Sequence, residues 1–197
     1  MELNPFDFSM SALNKLSLKE GRLLVSEPFM IDPNFKRSVI LLAEHKPEGS
    51  IGFILNQPLN INVNDALRDF PIVNSPVFMG GPVQTDSMFF IHSQGNLIEE
   101  SVKINDTLYW SGNYESLKAK IEEQLIFPHE IMFFVGYSGW GYEQLQYEIK
   151  NNSWFIADSF GFSLNDFKSE HLWQKVLQKQ GPKHAMIANF PEDPNLN

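Results

Sequence analysis

The sequence predicts an α+β fold in a single domain. Runs of strand length and helical patterns follow one another irregularly, without the regular strand–helix alternation that builds a parallel sheet. The two strongest apolar runs, 37–44 and 51–56, are separated by a short polar segment around Pro47. That spacing fits an antiparallel hairpin, because a parallel crossover needs roughly a dozen residues. At 197 residues the chain can bury one sizeable core and is short for two.

Taken in order, residues 1–20 place Leu13, Leu16 and Leu18 among polar neighbours, as in a short helix or an extended arm laid on the core. Residues 22–26 predict a strand stopped by Pro28, and 37–44 a strand buried on both faces, with Asx and proline turn chemistry between them at 30–35. The run 51–56 is the central strand, and Pro58, lacking a ladder donor, ends it. Asn62 can cap a short helix with Val63, Leu67 and Phe70 at helical spacing. Strands follow at 76–79, 87–92 and 106–110, the first running into the turn Gly80-Gly81-Pro82. Asn113 caps an amphipathic helix carrying Tyr114, Leu117, Ile121 and Leu125 on one stripe, which Pro128 breaks. The apolar strand 131–137 then leads, through a glycine-rich turn at 138–141, into a helix over 142–150. A strand at 153–157 and a helix over 166–180 complete the core, the helix stopping at Gly181-Pro182. The tail 191–197 is polar and proline-rich, so it is expected to be loosely held. The domain proper therefore spans 21–190, between an arm and a tail.

Composition excludes several function classes. A net charge of −9 argues against nucleic acid, which needs Lys and Arg gathered on one face. The densest basic group, Lys175, Lys179 and Lys183, reads as a solvated helix end. With no cysteine, disulfides and thiolate chemistry are absent. No apolar run approaches the ~20 residues of a membrane helix, and Glu2 and Asp7 stand where a secretory signal would be basic and then apolar. A cytoplasmic location is the resulting expectation.

The strongest chemical motif is Gly136-Tyr137-Ser138-Gly139-Trp140-Gly141, set between a buried strand and a helix like a hydrolase nucleophile elbow. Its spacing fails, since Gly-x-Ser-x-Gly would need glycine where Trp140 stands. The structural reading is a turn in which Ser138 or Gly139 leads into the helix and Trp140 plugs the core. The five histidines include no pair three or four residues apart, so no helix offers a His pair to a metal. His92, closing an aromatic strand, is the one to watch. Gly80-Gly81-Pro82 has too few glycines for a nucleotide loop, so no cofactor is predicted. Glu143 and Glu148 read as exposed helix residues. Asn56 and Gln57, closing an apolar strand, must satisfy both donors and acceptors if buried, either by pinning the adjacent loop or by facing a ligand.

Six ordered blocks resemble the YqgE/AlgH family. They are 21–25, 32–39, 49–58, 80–83, 90–92 and 136–140, the last followed by Gln144-Leu145 and Glu148. The resemblance covers roughly residues 20–190. It implies one α+β domain whose bifurcated, mostly antiparallel sheet forms a pseudo-barrel with flanking helices. It also implies a bacterial cytoplasmic protein of unestablished activity. One branch is labelled a transcriptional regulator of alginate synthesis, without a DNA-binding motif. Family members often carry alanine at the position of Ser138, which weighs against a nucleophile there.

The resulting expectation is a non-enzymatic binding or regulatory protein that acts on a protein or small ligand. Its candidate residues are Asn56, Gln57, Gly80, Gly81, His92, Ser138, Trp140 and Gln144, on turns that would converge on one face. The alternative is a hydrolase-type enzyme built from the turns at 56–58, 80–82 and 137–141.

Overall fold

The computed structural model describes residues 14–192. Among these residues lie ten strands: β1 (Arg22–Ser26), β2 (Val39–Lys46), β3 (Gly49–Ile54), β4 (Pro58–Asn62), β5 (Pro76–Met79), β6 (Val83–His92), β7 (Val102–Lys103), β8 (Tyr109–Trp110), β9 (Ile131–Gly141) and β10 (Trp154–Asp158). Six α-helices accompany them: α1 (Val63–Ala66), α2 (Tyr114–Glu122), α3 (Gln144–Lys150), α4 (Leu164–Phe167), α5 (Leu172–Lys179) and α6 (Pro182–Ile187).

The strands form one sheet in the order β10-β1-β2-β3-β9-β6-β8-β7, with every adjacent pair antiparallel. The fork is at β9. Over 133–135 that strand takes β5 as a parallel partner, and over 138–141 it takes β3 instead, while β6 holds its other edge from Ile131 to Tyr137. The branch is extended by β4, which pairs β5. The sheet stays open, with β10 and β7 at its ends. This is the mostly antiparallel, bifurcated α+β architecture that the sequence predicts.

Burial explains why the strand runs are apolar on both faces. Leu23, Val25, Val39 and Leu41 enter one cluster with Phe53, Phe134 and Trp173, whereas Leu24, Ile40 and Leu42 enter another with Trp140 and Trp154. Successive side chains on a strand point to opposite faces, so both faces of this part of the sheet are covered. Each of these side chains is wholly or almost wholly out of water, and full burial of such a group contributes roughly 1.5–3 kcal/mol. The third cluster, Val63, Phe70, Val77, Leu117, Ile121 and Phe133, fills the space beside the fork.

Several local expectations change. Pro58 opens β4 instead of simply ending a strand, at a first-residue position where its missing N–H is tolerated. Residues 138–141 continue β9 rather than turning, because β3 supplies a ladder for each of them. The following helix accordingly starts only at Gln144, after Glu143 takes a left-handed conformation at φ 55°. The strand expected at 106–110 is Tyr109–Trp110 alone, since the Asn105 carboxamide oxygen accepts from the N–H groups of Thr107 and Leu108 and holds 105–108 as a turn. The helix expected over 166–180 is two helices, α4 and α5. Pro182 follows the stop at Gly181 as the first residue of α6, where a missing N–H costs nothing. Of the arm, residues 1–13 lie outside the described residues, as do 193–197 of the tail. Asn14 does tie the arm to β10, donating to the Trp154 carbonyl at 3.1 Å and accepting from Ile156 N–H. No helix among the described residues is long and apolar enough to cross a membrane.

Candidate functional site

The C-terminal end of β9 gathers most of the predicted residues. Gly80 and Gly81 cross beneath it at backbone contact: a Cβ on Gly80 would lie 2.2 Å from the Gly136 carbonyl, and one on Gly81 2.3 Å from the Tyr137 carbonyl carbon. No other residue type fits there. The Ser138 hydroxyl, fully buried, donates to the Gly80 carbonyl at 3.0 Å, and the same carbonyl accepts from Ile54 N–H at 3.0 Å. Ser138 is thereby a tie between the two branches of the fork, with its proton committed to a backbone oxygen.

Beyond it, Trp140 enters the core cluster of Leu24, Ile40, Leu42 and Trp154. Its indole N–H donates to Glu148 Oε2 at 2.9 Å, and Trp154 donates to that same oxygen at 2.8 Å, the two rings meeting edge-on at 6.0 Å. Gln144 completes the strap, accepting from Gly141 N–H at 3.0 Å and donating to Glu148 Oε1 at 2.9 Å. The sequence assigns Glu148 to an exposed helix face. In the folded chain it is partly buried and fully engaged, because β10 brings Trp154 alongside it.

Asn56 and Gln57 do not face this region. The Asn56 carboxamide accepts from Val39 N–H and donates to the Arg37 carbonyl, both at 2.9 Å, and so pins the start of β2. Gln57 donates to the Asn34 carbonyl at 3.0 Å, while its own carbonyl accepts from Met79 N–H at 2.9 Å. His92 pairs Ile131 at the opposite end of β9, roughly 30 Å along the strand from Trp140. It is wholly buried. Its Nδ1 accepts from Gln94 N–H at 3.2 Å, so Nε2 carries the proton and donates to the Ser111 carbonyl at 3.1 Å. Burial pushes its pKa down to about 4 against the opposing pull of that hydrogen bond. A neutral, structurally locked imidazole results.

Above the crossing lies an open trough of about 440 Å³, lined by Glu44, Ile51, Val83, Tyr137, Gly139 and Trp140. Three separated signature segments, 49–51, 83 and 137–140, therefore meet at one surface depression. Lys46 and Glu48 stand at its border, with Lys46 paired to Glu44 at 3.0 Å. Gly139 forms the floor. Unlike Gly81, it has an ordinary φ, and a Cβ there would meet only the Tyr137 ring edge at 3.1 Å and Val83 at 3.7 Å. No backbone contact demands glycine at this position, and a Cβ would need the Tyr137 ring edge to give by only a few tenths of an ångström. The sequence singles out the motif but assigns Gly139 to a turn, and it gives no role to Tyr137 or to Val83, which joins the motif only through the pairing of β6 with β9. Two other cavities, of about 450 and 570 Å³, lie around Thr107 and Phe162 and include none of the predicted residues. No group of three or more His, Asp or Glu side chains among the described residues could hold a metal ion.

The profile of the AlgH-like family of unknown function, DUF179, matches residues 23–185. A protein named UPF0301 from Chlorobium limicola is 40% identical over 180 residues, covering 91% of this chain and 96% of its own. Another from Cytophaga hutchinsonii is 41% identical over 181 residues, covering 91% and 100%. Among solved structures, a Corynebacterium diphtheriae protein superposes with a TM-score of 0.76 at 23% identity, over 92% of this chain and 97% of its own. The solution structure of AlgH from Pseudomonas aeruginosa gives 0.68 at 25% identity, over 90% and 98%.

Proposed function

We propose that this chain, which belongs to the AlgH-like family, is a bacterial cytoplasmic binding protein. It works by holding part of a partner or a small ligand in the trough over Gly139. The carrying observation is that glycine itself. The glycines at the crossing are imposed by backbone contact, whereas a Cβ at Gly139 would meet only the Tyr137 and Val83 side chains, both of which border the trough. Empty space walled by Ile51, Val83 and Tyr137 is what a ligand site looks like before it is filled. Ser138 supports this reading over the hydrolase one, since its hydroxyl is buried and donates to a carbonyl instead of facing a base. Any regulatory role would then act through a protein or ligand contact, in keeping with the net charge of −9.

The test is an amide-resolved NMR screen of the full chain against pooled metabolites and short peptides, repeated on Gly139→Leu. Hits should shift Ile51, Val83, Tyr137 and Gly139 and disappear in the variant. Hits confined to the cavities around Phe162, or unaffected by Gly139→Leu, would overturn the assignment.

A further inference from the structure

We infer that the occupant of this trough is an arginine side chain presented by a partner protein, an assignment that rests on the trough being the binding site. The Tyr137 ring leans across the floor, near enough to Gly139 that a Cβ there would touch it at 3.1 Å. It also packs edge-on against Phe89, at a centroid distance of 5.6 Å. A half-buried aromatic ring beside an open space is a platform for a planar cation. Ile51 and Val83 offer apolar walls for the methylene stem that carries such a head group. Counter-charge comes from the border. Glu44 and Glu48 both line it, Lys46 neutralises Glu44, and no cation pairs Glu48 among the described residues. A guanidinium stacked on Tyr137 with Glu48 as its acceptor completes that set, whereas an anionic occupant would meet the unpaired Glu48 carboxylate. Arginine suits the site better than lysine, because its planar fork both stacks on a ring and bonds a carboxylate with two N–H groups. The net charge of −9 further favours encounter with a basic protein surface.

Titrating the labelled full chain with acetyl-Leu-Arg-Leu-amide tests this, with the neutral citrulline peptide and free arginine as comparison arms. The arginine peptide should shift Ile51, Tyr137 and Gly139 saturably and bind about tenfold more tightly than the citrulline peptide. Glu48→Gln should weaken binding of the arginine peptide several-fold more than binding of the citrulline peptide, so that the preference between them falls. Equal binding of the two peptides would overturn the cationic occupant and leave the trough standing as a site. Tighter binding of free arginine than of the peptide would overturn the partner protein in favour of a small-molecule ligand. If no peptide moves trough resonances while the pooled library does, the arginine assignment alone fails. If neither does, both readings fall.

Discussion

Ser138 and Gly80, 58 residues apart in the chain, are joined by a hydrogen bond of 3.0 Å that ties the two branches of the forked sheet. The Gly80 carbonyl is doubly satisfied, because Ile54 N–H also donates to it. Ser138→Ala therefore leaves no orphaned acceptor and should cost only about 1 kcal/mol in urea unfolding. Ligand binding in the trough should survive the change. A loss of several kcal/mol would mean that the hydroxyl supports more than this one bond.

Glu148 carries a larger share. Replacing it with alanine strands two indole donors, those of Trp140 and Trp154, in partly buried surroundings and should cost roughly 2–5 kcal/mol. Glu148→Gln keeps an oxygen for the indoles but turns an amide against the Gln144 donor, so a loss of about 1 kcal/mol is expected. Denaturant unfolding followed by tryptophan emission measures both, and equal losses for the two variants would contradict this account.

Two glycines should respond to alanine to very different extents. Gly81 has φ 152°, and its Cβ would sit 2.3 Å from backbone atoms that cannot yield, so Gly81→Ala should lose roughly 2–4 kcal/mol. Gly139→Ala meets only a movable ring edge and gains from a stiffer unfolded chain, so its stability should stay within about 1 kcal/mol of the parent. Thermal unfolding of the pair settles the contrast.

His92 should make the fold acid-sensitive. Its folded pKa of about 4 lies below the ordinary 6.5, so the unfolded chain takes up the proton first as pH falls. The stability associated with the neutral imidazole is present above pH 6.5 and lost progressively toward pH 4, in total about 3 kcal/mol. Urea midpoints across that window should fall, and fall less in His92→Gln. Direct NMR titration of the imidazole should give a midpoint near 4, and a midpoint near 6.5 would refute the burial argument.

Much of the frame was legible because it depends on local pattern. The two-faced apolar runs at Leu23–Val25 and Val39–Leu42 announce strands covered on both sides, and the helical spacing of Leu117 and Ile121 announces the face of α2 that is buried. Leu125, on the same predicted stripe, is instead exposed, because the helix stops at Glu122. The structural reading of Trp140 as a core plug also holds, since a large apolar ring after a buried strand has few other places to go.

The candidate site was less legible. Gly139 and Gly141 read locally as a turn, yet pairing with Ile51 and Gly49 makes them strand. Glu148 reads as solvated until Trp154 arrives from β10, and Asn56 reads as a possible ligand contact until Arg37 and Val39 occupy its carboxamide. By itself the sequence determined most of the longer strands, the amphipathic helix at 114–122 and the blocks that mark the family, because backbone preference and the period of burial are properties of neighbouring residues. The tertiary structure alone decided that Gly80 passes under Ser138 and that a trough opens over Gly139. Those depend on the register of strands far apart in the chain, which no local pattern encodes.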